Sequence, residues 1–357
     1  MGSAGSVSRG PIRTLVLGCM GAGKTSFMRQ MVRNATKQVV GNRQYYLYCV
    51  QLNLLNVSTT VPKEFFGDLK MHRNSKKSSV SSTLYDSRTI YFSIVYRELQ
   101  KVCKDMEVTI TEAQQLAFDE IDTYRHKEKF TPRVIESIRT LRDSQLFDLC
   151  RMRQRILPLP QNYNFLISRA DDFMSENFIP TENDIMMSYS QTIGLSYELV
   201  TCQGYKFDLL EMPGHHLWRA RWTQHFDDPN LVVFVIDLSE LCDQAFYQGH
   251  LQKKTINVFN DLTRNPILKK VYWLLLFNKL DTFNDHSAGF DFKKLASHLD
   301  TGDSAKSFYR SQFTQLLPKG KFWAHMVSLM NLKDSQDMIS EMSRRIGKIH
   351  RERPNLT

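Results

Sequence analysis

Eight consecutive residues, Gly18-Cys19-Met20-Gly21-Ala22-Gly23-Lys24-Thr25, have the spacing Gly-x4-Gly-Lys-Thr. Glycines at these intervals let backbone N–H groups curl round phosphate oxygens. A helix that starts just after them adds partial positive charge. In such a loop the lysine, Lys24, reaches the terminal phosphates, and the Thr25 hydroxyl ligates Mg²⁺. The pattern carries weight only between a strand and a helix. An apolar run, Leu15-Val16-Leu17, extendable to Thr14, precedes it, and a helix-compatible stretch, Ser26 to Arg33, follows. Gly18, Gly21, Ala22, Gly23, Lys24, Thr25 and Ser26 are therefore candidate nucleotide-binding residues. The plain alternative is a Gly-rich turn after a strand, and spacing and context together weigh against it.

Two further stretches could complete such a site. Asn278-Lys279-Leu280-Asp281 directly follows an apolar run ending at Phe277. Asn-Lys-x-Asp is the guanine-recognition pattern of GTPases. The Asp281 carboxylate can accept two hydrogen bonds from guanine N1–H and N2–H₂, a pair that adenine does not offer. The Lys279 stem can cover the face of the base. Alone, the tetrapeptide is an ordinary polar loop; behind a phosphate loop it disfavours an adenine nucleotide. Glu211-Met212-Pro213-Gly214-His215 ends another apolar run. It stands where GTPases carry Asp-x-Gly-Gly-Gln or Asp-x-Pro-Gly-His. There the acid (here Glu211) holds Mg²⁺ through water, the glycine (Gly214) offers its N–H to the terminal phosphate, and the last residue (His215) orients the attacking water. His215 is the candidate catalytic residue. Alone, this stretch would read as a Pro-Gly turn.

These loops need elements to hold them. Leu195 to Cys202 and Tyr205 to Met212 read as two strands joined by a turn at Gly204. Leu231 to Ile236 and Val271 to Phe277 are continuous apolar runs, as strands buried on both faces should be. His325 to Leu329 reads as a short final strand. Helix-compatible segments separate the strands at Ala220 to Phe226, Gln244 to Asn260 and Ala305 to Leu316, and Asp334 to His350 is an amphipathic closing helix. Strands alternating with helices imply a parallel sheet whose ligands sit at the carboxyl ends of the strands. Between about residues 36 and 183 this rhythm stops. Tyr91 to Val102, Glu112 to Arg125 and Arg133 to Leu149 read as helices, the last with Val134, Ile135, Ile138, Leu141 and Leu149 as a core-facing stripe. Asn74 to Ser82 reads as an exposed Ser/Lys-rich loop.

The chain's 357 residues, 42% hydrophobic and 24% charged, suit one large or two ordinary globular domains. No run approaches the roughly 20 apolar residues of a membrane span, and no secretory signal follows Met1. Six scattered cysteines with no Cys-x-x-Cys pair read as reduced thiols of a cytosolic protein. The net charge of +10 comes without a dense basic tract carrying interleaved aromatics, which argues against nucleic acid as partner. Met1-Gly2-Ser3-Ala4-Gly5-Ser6 fits the N-myristoylation pattern at Gly2 and equally reads as a flexible Gly/Ser tail. One acyl chain alone anchors only marginally.

The order of these pieces resembles the α subunit of heterotrimeric G proteins. The resemblance is carried by the phosphate loop, by Phe178 to Ile185, by Gln191-Thr192-Ile193-Gly194 beside that family's Lys-Thr-Thr-Gly, by Arg221-Trp222 and Phe226, and by Phe277 to Phe283. It implies an α/β fold: a Ras-like P-loop GTPase domain with a parallel-rich sheet (residues 1–35 and 184–357), interrupted by an inserted all-α helical domain (36–183). It implies GTP/GDP and Mg²⁺ as ligands, with Thr192 joining Thr25 on the metal and Leu329 presenting its N–H to guanine O6. It further implies a signalling switch at the inner, cytoplasmic face of the plasma membrane, with a G-protein-coupled receptor, a βγ dimer and an effector as partners. The N-terminal segment before the first strand is short, which weakens the βγ expectation.

The departures from that family concern hydrolysis. Met187 and Tyr189 stand where it has arginines in its first switch, Met20 replaces a phosphate-loop glycine, and Glu211, Pro213 and His215 replace aspartate, glycine and glutamine. Val327-Ser328-Leu329-Met330 stands where the family has Thr-Cys-Ala-Thr. Two readings follow: a GTPase switch with a low intrinsic rate, or a pseudo-GTPase, a nucleotide-bound scaffold with negligible turnover.

Overall fold

The computed structural model describes residues 10–37, 111–124, 130–145, 162–188, 194–242 and 250–352, together with Val50, Gln51, Asn53, Leu54, Ser58 and Phe147. The chain divides into two compact units, Met1–Val40 with Gln191–Thr357, and Gly41–Ser190.

The first unit is built on six strands: β1 (Ile12–Gly18), β2 (Ser196–Cys202), β3 (Tyr205–Glu211), β4 (Leu231–Asp237), β5 (Tyr272–Asn278) and β6 (Phe322–Met326). They lie in the order β2-β3-β1-β4-β5-β6. Only the β2–β3 pair is antiparallel; the other neighbours run parallel. Gln203 and Gly204, both at positive φ, make the tight turn between β2 and β3. Every residue of β4 and β5 is buried, because a parallel strand covered on both faces has no solvent side. Alternation along β4 sends Val232, Phe234 and Ile236 into a cluster with Phe259, Phe277, Tyr309 and Phe313. It sends Leu231, Val233 and Val235 into a cluster with Phe27, Met31, Met338, Ile339 and Met342. The helix Leu332–Glu352 supplies the last three of these from its apolar side.

The second unit is helical among its described residues, with helices Glu112–Thr123, Pro132–Arg142, Tyr163–Ser168, Ala170–Met174 and Glu182–Met187. Thr111, Thr131 and Thr181 cap three of them through their side chains. Val134, Ile138 and Leu141 are fully buried with Phe118, Ile121, Leu166 and Phe173. Arg169 pairs with the buried carboxylate of Asp184 and lies 5.2 Å over the Phe173 ring.

Local structure departs from the sequence expectation at several places. The helix expected over Ala220 to Phe226 is instead two short pieces, His216–Arg219 and a 3₁₀ turn at Trp222–His225. The buried Trp222 indole N–H donates to the Pro213 carbonyl at 3.0 Å, and that tie folds the segment back before a continuous helix can form. The final strand is Phe322–Met326 rather than His325 to Leu329; apolar Val327 and Leu329 are buried in the loop after it. The helix expected to reach Leu149 ends at Arg142, where the Ser144 hydroxyl bonds the Leu141 carbonyl. The expected helix Tyr91 to Val102, the loop Asn74 to Ser82, Leu149 and Gly2 lie outside the described residues, as do residues 244–249 of the helix expected over Gln244 to Asn260, of which the described part lies in His250–Arg264.

Candidate nucleotide-binding site

Register aligns the strand ends. Val16 lies beside Glu211, Gly18 beside Val235, Asp237 beside Asn278, and Phe277 beside Met326. The chain therefore leaves the sheet along one edge at Gly18, Glu211, Asp237, Asn278 and Met326. This carboxyl edge is where open parallel sheets hold ligands.

Beyond β1 the loop turns into the helix α1 (Lys24–Thr36) with Gly23 at its N-cap, at φ +103. No side chain caps that end, so backbone N–H groups and the helix dipole set its field. Lys24, only 5% exposed, donates from Nζ to the Cys19 carbonyl at 3.0 Å, which closes the loop on itself. Burial lowers the Lys24 pKa, while the Glu211 carboxylate acts the other way. Gly214 lies directly on this loop. A Cβ there would stand 2.6 Å from the Gly18 carbonyl oxygen, the Cys19 carbonyl carbon and Lys24 Nζ, so only glycine allows the approach. Met20 points outward, 47% exposed.

Thr25 Oγ1 donates to Glu211 Oε1 at 2.6 Å, with Glu211 buried. Octahedral Mg²⁺ takes oxygens at about 2.0–2.1 Å, which sets neighbouring ligands about 3 Å apart. At 2.6 Å the Glu211 carboxylate lies beside Thr25, where it could hold a water of an ion bound at the Thr25 hydroxyl. Among the described residues no group of three or more His, Cys, Asp or Glu side chains could hold a metal alone.

Asn278 joins two loops. Its Nδ2 donates to the Ala22 carbonyl at 2.9 Å, and its Oδ1 accepts from the Leu329 N–H at 3.0 Å. A Cβ on Gly23 would run into the Asn278 amide nitrogen. The Leu329 carbonyl accepts from Gln30 Nε2 at 2.6 Å. Leu329 N–H is thus engaged by Asn278, and offering it to a base requires giving up that bond. Lys279, at φ +66, donates from Nζ to Asp237 Oδ2 at 2.5 Å. Asp281 sits exposed in the first turn of the helix Leu280–Ser287.

His215 caps the short helix after Gly214, its Nδ1 accepting from the Leu217 N–H at 3.4 Å. The His216 ring centroid is 4.2 Å away. Ser26 lies in the first turn of α1. Thr192 and Tyr189 lie outside the described residues, and Met187 ends a helix of the other unit.

The structure adds a polar cluster behind the phosphate loop. Glu240 Oε2 accepts from Thr255 Oγ1 at 3.2 Å and from the Tyr309 hydroxyl at 3.3 Å. Thr255 Oγ1 also lies 3.5 Å from Cys19 Sγ. Burial, and then the neighbouring Asp237 carboxylate, push the Glu240 carboxyl up to about 8. Burial likewise raises the Cys19 thiol, with Glu240 next in effect. Asp237, at the end of an apolar run, was the one readable signal of this cluster in the sequence.

Residues 3–346 match the family model described as G-protein alpha subunit. The chain is similar to the guanine nucleotide-binding protein alpha-7 subunit of Caenorhabditis elegans, 22% identical over 172 residues, 47% of this chain and 48% of that protein. It is 25% identical over 197 residues to the G(o) subunit alpha of Geodia cydonium, covering 53% and 55%. It is 22% identical over 265 residues to the alpha-6 subunit of Dictyostelium discoideum, covering 72% and 76%. For the first two the match spans about half of each relative's length.

Proposed function

Because the chain belongs to the G-protein alpha subunit family, we propose that it is a signalling switch that binds GTP and GDP and hydrolyses GTP slowly. The observation that carries this reading is the Asn278 clasp: one side chain ties the phosphate loop at Ala22 to the candidate base loop at Leu329. A nucleotide spanning both loops would meet them already fixed in relation to each other, so little ordering cost falls on binding.

In this reading the phosphate-loop amides and Lys24 hold the phosphates, and Asp281 selects guanine. Thr25 and Glu211, with Thr192, would hold Mg²⁺, which when bound neutralises charge on the phosphates. Gly214 offers its N–H to the terminal phosphate only if Lys24 moves from the Cys19 carbonyl onto that phosphate. His215 orients water with Nδ1 or Nε2, according to which nitrogen keeps the proton. Tyr189 carries no charge, and the arginine that family members place in the first switch is worth about 10³–10⁵ in rate. Slow turnover and a long-lived GTP state follow. A receptor, an effector and a βγ dimer are the partners the family suggests, at the cytoplasmic face of the plasma membrane, with Gly2 as candidate acylation site.

Competition binding with GTP, GDP and ATP on the purified chain, followed by single-turnover hydrolysis, tests the reading. Guanine-selective binding with turnover well below that of an arginine-bearing α subunit is expected. Equal binding of ATP would refute the base pocket, and fast turnover would refute the assignment of Tyr189 and Met187.

A further inference from the structure

The segment after Gly214 carries a cation that the reading above does not use. Gly214 lies against Gly18, Cys19 and Lys24, so the chain that follows starts on the phosphate loop. His215 caps the helix His216–Arg219, and the Arg219 N–H returns to the His215 carbonyl at 3.2 Å. Arg219 therefore sits one turn on from His215. Its Nε is buried and has no hydrogen-bond partner in the structure. No carboxylate pairs with it among the described residues, although Arg13, Arg139, Arg142, Arg169, Arg344 and Arg345 all have one. Nearby Arg221 differs, because it lies 5.5 Å over the Trp218 ring.

A buried guanidinium N–H without an acceptor has lost its water and gained nothing in return. Arg219 also stands close enough to Cys19 and Lys24 for its charge to act on both. The two cations, Arg219 and Lys24, thus feel each other's charge, and each raises the cost of the other. An anion placed between them removes both penalties at once. Arginine suits phosphate oxygens in particular, because its planar fork presents parallel N–H donors.

We propose that Arg219 contacts the terminal phosphate of a bound nucleoside triphosphate. It would supply, from the segment after Gly214, the cation that Met187 and Tyr189 do not supply from the first switch. This rests on the nucleotide-binding reading of the site. It makes Arg219 a discriminator between triphosphate and diphosphate, because a diphosphate has no group at that position. It also places a cation and His215 on the same short segment, so ordering one orders the other.

The test compares GTPγS and GDP affinity in wild type, Arg219→Ala and Arg219→Lys, with thermal unfolding as a check on folding. Loss of a charge-assisted contact is worth about 10- to 150-fold. Arg219→Ala should lose that factor for GTPγS while GDP affinity stays within about twofold of wild type. Arg219→Lys should fall between, since it keeps the charge and loses the fork. Single-turnover hydrolysis should drop in the same order. An unchanged ratio of GTPγS to GDP affinity in Arg219→Ala overturns the proposal while leaving nucleotide binding intact. A wild-type chain that binds neither nucleotide overturns the underlying reading, and the proposal with it. Should Arg219→Ala unfold, an unchanged ratio in Arg219→Lys would overturn it equally.

Discussion

The Asn278 clasp makes a prediction that does not depend on any ligand. Asn278→Ala removes a donor from the Ala22 carbonyl and an acceptor from the Leu329 N–H. Asn278 and Leu329 are 4% and 1% exposed, so water cannot readily replace either partner. An orphaned buried polar group costs about 1–3 kcal/mol, so the pair amounts to about 2–6 kcal/mol. For a unit of this size each kcal/mol shifts Tm by about 2–4 °C. A fall of about 4–24 °C is expected in thermal unfolding of the nucleotide-free chain, in EDTA. Asn278→Asp keeps an oxygen for Leu329 N–H but sets a second oxygen against the Ala22 carbonyl, so its Tm should also fall. GDP dissociation, followed with a fluorescent analogue, should accelerate in both variants. The reasoning fails if nucleotide-free Asn278→Ala melts within about a degree of wild type while GDP leaves faster. Asn278 would then be a ligand contact only, with no structural share in holding the two loops.

Other perturbations address separate parts of the site. Asp281→Asn should cost several kcal/mol in GDP binding and gain relative affinity for xanthine nucleotides, whose C2 carbonyl can accept from the new amide; equal GDP binding would show that the base lies elsewhere. Tyr189→Arg should raise single-turnover hydrolysis by at least about tenfold, a small share of the 10³–10⁵ an arginine can supply; no change would mean that residue 189 does not reach the phosphate. Glu240 is a carboxyl whose folded pKa, about 8, lies above its ordinary value of 4.5. The unfolded chain ionises it first, so wild type should lose stability as pH rises from about 5 to 8. Glu240→Gln, with Asp237, Lys279, Tyr309 and Cys19 still around it, should flatten that slope in pH-dependent urea melts, and an unchanged slope would refute the assignment.

Much of this site is legible because its parts are local. Gly18 to Thr25 is one uninterrupted stretch, and the structure sets it between β1 and the helix that begins at Lys24. Apolar runs of strand length, such as Leu231 to Ile236, cannot alternate with polar residues when both faces are covered, so β4 and β5 stand out in the sequence. What escapes notice is long-range. Glu240, Thr255, Tyr309 and Cys19 are brought together by four different elements, and no periodicity announces the meeting. The second switch segment misleads for a similar reason. Its composition suits a helix, but one indole hydrogen bond from Trp222 to Pro213 overrides that propensity and splits it. The end of β6 fails differently, since a buried loop residue such as Leu329 is as apolar as a strand residue.

The two halves of the chemistry rest on different supports, and this explains how they can diverge. The groups proposed for binding stand on strand ends: Lys24 is anchored by the loop after β1, and Asn278 and Lys279 by β5 and its neighbours. Altering them disturbs buried hydrogen bonds of the sheet edge as well as any ligand contact, so they are doubly constrained. The groups expected to govern hydrolysis sit elsewhere. Met20 projects from the loop surface, His215 caps a helix of one turn, and Arg219 ends it. Replacing such residues costs the fold little. A chain of this family can therefore exchange turnover rate for lifetime of the triphosphate state while its nucleotide pocket stays intact. On the proposed function, the substitutions at 20, 189 and 215 would adjust the rate of turnover and leave the site in place.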